Sequence, residues 1–481
     1  MKKRLLLIFL AILVLIPIGL VGLMNSESGC RWLLQSLLPA EASIQTIQGS
    51  LLDHLELTAV HYQSPSATVE LNKLNFNWQA SKLLTGTVKI IDLTVADVKI
   101  SLTDDSKQPE EKSSFDFNAP LALPVQLIVE NIVLTNVQLQ QGEQLQTIEK
   151  LQLTAKTENG QLHIQTFAID ATPLSATLQG QVKLGKGFAF NLNTQWRINS
   201  EQQGDWQAST TINGDSKKIH FNNQVSTPFR LALKGSVENP LDKPYLKVRF
   251  DWRDIKYPII GDAPQIQSEQ GVIKFIGLLS DYHFTLNAKL NQAYLPAASL
   301  VFDSKGSLDA INISKLELKS TTGIFQLDGK AGWKDKTSFD IHALAENFNP
   351  AIVMPDMAGN LSLDSHFKGQ LADKLQLDIA INKLAGQLRG YPVSADGKLL
   401  LVGDQLTVNA LNFNSGGNKI AVNGTLGEAQ AKLNLTVDTP ALNNLWPSLG
   451  GSLKAQGSLQ GEWKNPAVQL QANGQGLRFA E

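Results

Sequence analysis

The 481-residue chain has a single cysteine, Cys30, which excludes an internal disulfide framework and a cysteine-based zinc ribbon. It also lacks an excess of either charge: 42 basic residues face 44 acidic ones, for a net −2. No surplus of Lys and Arg is available to displace counterions, so nucleic acid is not an expected partner. Four Met and seven scattered His argue against a metal store, and no His-Glu-x-x-His is present. A Gly-x-Ser-x-Gly elbow is also missing. Gly180 to Gly187 approaches the spacing of a phosphate-binding loop. However, Gly187 stands where a Ser or Thr would hold magnesium, and Phe188 to Leu192 alternates like a strand. The sequence therefore reads as a protein that is not an enzyme, with no catalytic residue, cofactor or metal site.

What is present begins with an apolar run from Leu5 to Met24 behind Lys2, Lys3 and Arg4. Twenty residues at about 1.5 Å each span a hydrocarbon core of about 30 Å. Leu5, Leu10, Leu15, Leu20 and Met24 mark this expected transmembrane anchor. The basic residues before it predict a cytoplasmic N-terminus and a chain whose bulk lies beyond the inner membrane. A cleaved signal peptide and a lipoprotein site at Ser28-Gly29-Cys30 are the rival readings. A short amphipathic helix follows: Ser28 can cap it, Cys30, Leu33, Leu34, Leu37 and Leu38 share one face, and Pro39 ends it. Such a helix is either an ordinary packing helix or one that lies on the outer leaflet or plugs the end of what comes next.

From about residue 44 the period changes to two. Leu375-Gln-Leu-Asp-Ile-Ala-Ile381 and Leu433-Asn-Leu-Thr-Val437 put aliphatic side chains on one face and polar ones on the other. Turns rich in Gly, Asn and Asp every 8 to 12 residues or so predict an antiparallel meander of roughly 28 strands. Gly160, Gly306, Gly359, Gly386, Gly424, Gly451 and Gly457 open Gly-x-Leu steps and are expected to supply the positive φ of hairpin turns. Few helices remain to cover a one-faced sheet, so its aliphatic face is expected to line a groove suited to acyl chains. By alternation, the candidate lining positions are Leu316, Leu318, Leu361, Leu363, Leu375, Leu377, Ile379, Leu433, Leu435 and Val437.

The chain divides into a start and anchor (1–24), an amphipathic helix (25–43) and a first groove segment (44–102). A polar acidic segment with Pro109 (103–119) reads as a disordered loop. Groove then continues (120–349) into a repeat unit (350–439). A second unit begins at 440 and runs to 481. Pro355 and Pro447, Gly359 and Gly451, and Gly369 and Gly461 are each spaced by the same interval, and each unit is expected to start with a short helix between prolines. The second unit is the shorter, as if the chain stopped in mid-repeat.

The helix at Ser28-Gly29-Cys30-Arg31-Trp32, the segment Gly49-Ser50-Leu51-Leu52-Asp53-His54-Leu55, the acidic loop, Ala293 to Ser299, and Leu445-Trp446-Pro447-Ser448-Leu449-Gly450-Gly451 together resemble the TamB family, within the wider AsmA-like group. The likeness is to the N-terminal portion of a longer protein. It implies a mainly β, elongated β-taco or repeating β-groove with a hydrophobic trough, plus the N-terminal transmembrane helix. The implied function is phospholipid movement between the inner and outer membranes of a Gram-negative bacterium, with the bulk of the chain in the periplasm. The implied partners are phospholipids, the inner membrane and the outer-membrane barrel TamA, whose docking domain is not in this sequence. The alternative is a scaffold that works with that barrel to assemble outer-membrane or autotransporter proteins.

Overall fold

The computed structural model describes residues 21–39, 41–64, 66–102, 123–142, 144–201, 204–261, 266–292, 295–352, 354, 356–372, 374–427, 431–446, 448–462 and 465–479. Leu5, Leu10, Leu15, Leu20 and the loop 103–119 lie outside these residues. Among the described residues, no helix is long and apolar enough to cross a membrane.

Helix α1 (Glu27–Leu37) is capped by Ser26, not Ser28: the Ser26 backbone is extended and its Oγ accepts from the Gly29 N–H at 3.1 Å. On its apolar side Cys30 is buried and Leu34 half-buried, both packed on Ile47, Leu55 and Leu57.

The chain forms two compact units, Met1–Asp242 and Lys243–Glu481. The first holds β1 (Ala42–Gly49), β2 (His54–Gln63), β3 (Ala67–Trp78), β4 (Thr87–Leu102), β5 (Gln126–Gln141) and β6 (Gln144–Glu158). It continues with β7 (Gln161–Ala171), β8 (Leu174–Lys183), β9 (Phe190–Ser200), β10 (Gly204–Gly214), β11 (Lys218–Thr227) and β12 (Arg230–Glu238). Consecutive strands pair and the ladders are antiparallel, with one departure from the expected meander: β4 and β5 are parallel, Thr87 opposite Gln126 through Leu102 opposite Gln141. Parallel neighbours require a crossover of about a dozen residues or more, and the chain between Leu102 and Gln126 supplies that length.

The second unit holds β13 (Tyr245–Tyr257), β14 (Ile266–Leu278), β15 (Asp281–Gln292), β16 (Leu295–Gly306), β17 (Ala310–Ser320), β18 (Ile324–Gly332), β19 (Thr337–Phe348) and β20 (Gly359–Leu371). It continues with β21 (Leu375–Leu388), β22 (Tyr391–Val402), β23 (Gln405–Ser415), β24 (Asn418–Leu426), β25 (Ala431–Thr439), β26 (Leu449–Glu462) and β27 (Asn465–Phe479). These pair in chain order, all antiparallel. The helices expected at the repeat starts are single 3-10 turns, Pro350–Ile352 and Leu442–Asn444, too short for the bracketing prolines to frame a longer helix.

Several strands bend in mid-length. Register shifts occur after Ile313, Ile381 and Val408, and the residue opposite each is a glycine with positive φ: Gly329, Gly397 and Gly424. A bulge bends its strand and sharpens the twist. Gly160 does turn a hairpin, as expected (φ 71). Gly386 and Gly424 do not: both lie inside strands, where a Cβ would come within 1.9 Å of a neighbouring strand's carbonyl oxygen. No residue with a side chain fits that approach. Buried serines satisfy the backbone where the ladder breaks: Ser268 donates to the Lys289 carbonyl at 2.9 Å and Ser365 to that of Ala380 at 2.9 Å.

Candidate functional site

Residues directly opposite one another in neighbouring strands share a face. In the second unit one such row runs Val248, Phe275, Phe284, Ser304, Ile313, Gly329, Ile341, Phe367, Ile379, Leu399, Val408, Gly424, Leu433, Leu459, Val468. It crosses every strand from β13 to β27 without a charge. One residue away, the outward row Lys330, Asp340, Lys368, Asp378 alternates in sign.

The first unit repeats the arrangement. Ile47, Leu57, Leu74, Val95, Leu134, Leu151, Ile169, Ala176, Trp196, Ala208, Val225 and Leu231 form one row across β1 to β12. A polar island interrupts this face. Thr194, Thr210 and Asn223 lie opposite one another, between Leu178 and Leu233. The Thr210 hydroxyl accepts from the Trp196 indole N–H at 3.2 Å and donates to Asn223 Oδ1 at 2.7 Å.

These faces are not closed cores. The larger side chains along the second row, including Phe275, Phe284, Ile341, Phe367, Ile379 and Leu399, are only half-buried, whereas the small Ala343, Ala345, Ala395 and Ala455 are buried. No second layer lies over the sheet among the described elements of this unit. Half-burial without a cover means that the sheet curls and its apolar side chains shield one another. The result is a trough whose wall remains open to an apolar guest.

All ten positions expected to line the groove fall on this one face. Leu316 and Leu318 face Leu327 and Phe325, and Leu361 and Leu363 face Gly386 and Leu384. Leu377 and Ile379 face Leu401 and Leu399, while Leu433, Leu435 and Val437 face Leu459, Gly457 and Ala455. Nine are half-buried. Leu375, at a strand end, is 42% exposed. The alternation in sequence missed the face of the first unit, although Leu151-Gln152-Leu153 carries the same signal. It also missed the serines at the bulges, which look polar but point inward.

The outward face carries ion pairs as well as exposed apolar residues such as Leu400 and Val402. His342 Nε2 lies 3.1 Å from Asp364 Oδ1 and His366 Nε2 lies 2.5 Å from Asp340 Oδ1. The His366 bond holds the Asp340 carboxyl below its ordinary range; bonds from Asn382 and His342 do the same for Asp364. A cavity of about 900 Å³ in this unit is bordered by Lys305, Lys330 and Lys368 and by Asp281, Asp340 and Asp378, with Leu377, Leu400 and Val402 also among its lining residues. Its three lysines and three aspartates balance, so it selects no net charge. Among the described residues, no group of three or more His, Cys, Asp or Glu is placed to hold a metal ion.

The family described as "TamB, N-terminal domain" matches residues 13–140 and 116–481. The chain is also similar to the "Translocation and assembly module subunit TamB" of Haemophilus influenzae (strain ATCC 51907 / DSM 11121 / KW20 / Rd), 26% identical over 375 residues. That alignment covers 75% of this chain and 29% of the relative, so the chain spans well under half of the relative's length. Its two apolar faces are thus carried on a sequence that matches one family over nearly its whole extent, and the chain belongs to the family of TamB N-terminal domains.

Proposed function

We propose that this chain is the inner-membrane-anchored part of a periplasmic protein that carries phospholipids between the inner and outer membranes and so contributes to outer-membrane biogenesis. The observation that carries the reading is the uncharged row from Val248 to Val468, most of its larger side chains half-buried, with no second layer over it among the described elements of its unit. Acyl chains match such a surface: they gain about 25 cal/mol per Å² of apolar area removed from water and need no directed polar contact. Headgroups stay outside, beside the alternating Lys and Asp of the outward rows. The anchor at 1–24 supplies the starting membrane. The barrel TamA enters as the partner that family membership suggests for the longer protein.

The test places a charge in the trough. Leu399→Asp puts a carboxylate into the row, and an uncompensated ion in apolar surroundings costs several kcal/mol, so phospholipid transfer is expected to fall about tenfold or more. Lys398→Asp, on the outward face, is expected to leave transfer unchanged. Transfer that tolerates Leu399→Asp, with loss of outer-membrane protein assembly instead, would favour the scaffold reading.

A further inference from the structure

One rim of the first unit combines exposed leucines with the exit of the N-terminal apolar run. The connection from β3 to β4 is a 3-10 helix, Ala80–Thr85, closed by Gly86 in the left-handed conformation (φ 73). Leu84 at its tip is 92% exposed and Leu83 is 48% exposed, with Lys82 beside them. Leu123 is also exposed, three residues before Gln126, whose N–H donates to the Gly86 carbonyl at 2.8 Å. At the same end of these strands, the Leu51 N–H donates to the carbonyl of Met24 at 3.0 Å, and the Trp78 indole N–H donates to the Leu51 carbonyl at 2.7 Å. Met24 is the last residue of the 20-residue apolar run, counted from Leu5. The chain therefore leaves that run on the rim that displays Leu83 and Leu84.

A water-facing turn gains nothing from two adjacent leucines, and polar residues are the usual occupants of such tips. We propose that the Ala80–Thr85 turn dips into the lipid surface from which the N-terminal run emerges, seating Leu83 and Leu84 at the boundary of headgroups and acyl chains. Interfacial apolar groups sit about 5–10 Å deep, and a lysine at that level keeps its stem in apolar surroundings while its ammonium meets lipid phosphate, the position of Lys82. The turn and the run are then two separate holds, which fix the tilt of the rim on the bilayer as well as its distance. This inference rests on the anchor reading of residues 1–24.

The test uses the full chain in vesicles of phosphatidylethanolamine and phosphatidylglycerol. Leu84→Cys carries an environment-sensitive fluorophore, and Ser66→Cys, in the β2–β3 turn at the other end of these strands, is the aqueous control. Cys30 is fully buried and leaves the labelling specific. The label at position 84 is expected to be quenched by lipid-borne quencher and to be about fivefold or more less accessible to iodide than the label at 66, as for a group seated below the headgroups. Leu83→Ser with the label at 84 is expected to restore part of that accessibility. Equal iodide quenching at 84 and 66, in protein that still resists carbonate extraction, overturns the proposal and leaves the anchor standing. Release of the protein by carbonate overturns both. An intermolecular disulfide formed under oxidant between unlabelled Leu84→Cys chains would place the leucines against a second copy and overturn the lipid assignment.

Discussion

At the scale of single residues, this fold is held by small polar groups at unusual places. Asn418 is fully buried, its Nδ2 donates to the carbonyls of Ser415 and Ala441 at 2.9 Å each, and its Oδ1 accepts from the Ala441 N–H. It ties the 3-10 turn Leu442–Asn444 to β24. Asn418→Ala leaves those backbone groups unpaired and is expected to cost about 1–3 kcal/mol, read by chemical denaturation. Gly424→Ala drives a methyl into the Lys432 carbonyl at a φ that L-residues avoid, and a similar loss of about 1–3 kcal/mol is expected. Gly160→Asn, with open space around the position, is expected to change little. Acidity acts through the outward aspartates. Asp340 and Asp364 titrate below the ordinary carboxylate range in the folded chain. Their stabilisation is therefore present above that range and lost as pH falls through the lowered values. Thermal unfolding of the Asp340→Asn, Asp364→Asn double variant should show a smaller loss of stability on acidification than the native chain.

At the scale of elements, period-two alternation identified the strands because each buries only one side, and a one-sided strand writes its burial into the sequence. Leu433-Asn-Leu-Thr-Val437 needed no further information to be read. Three features escaped for physical reasons. The parallel pairing of β4 with β5 depends on where a crossover returns, which no local pattern encodes. Gly386 and Gly424 look like turn residues, and only the neighbouring strand's carbonyl makes them strand-kinking ones. Ser304 and Ser365 are polar residues on the inward face, and Ser365 donates to a backbone beside a bulge that alternation does not foresee. Helix α1 packs on the apolar face through Cys30 and Leu34. Burial pushes the Cys30 thiol up from its ordinary value. A folded protein should accordingly resist a maleimide at neutral pH and react once denatured. Leu34→Asp should detach the helix and make Cys30 reactive without unfolding the strands, a separation that mass spectrometry and circular dichroism together would reveal.

At the scale of the whole molecule, each unit carries one apolar row across all its strands, and the second has no layer above it among the described elements. Lateral continuity is what distinguishes a conduit from a set of pockets: a guest moving from Phe284 to Leu459 meets no charged residue in its row. The polar island at Thr194, Thr210 and Asn223 breaks the first unit's face. Thr210→Val should remove its central bond, destabilising the unit by about 1 kcal/mol in denaturant titration. The central claim is that acyl chains travel on the inward face and not on the outward one. It is tested most directly by photo-crosslinking in cells with the reactive group at Ile379 and Leu399 and, separately, at the adjacent Asp378 and Lys398. Phospholipid adducts at the first pair and none at the second are the predicted result; equal labelling of both pairs, or lipid only at the second, would contradict it.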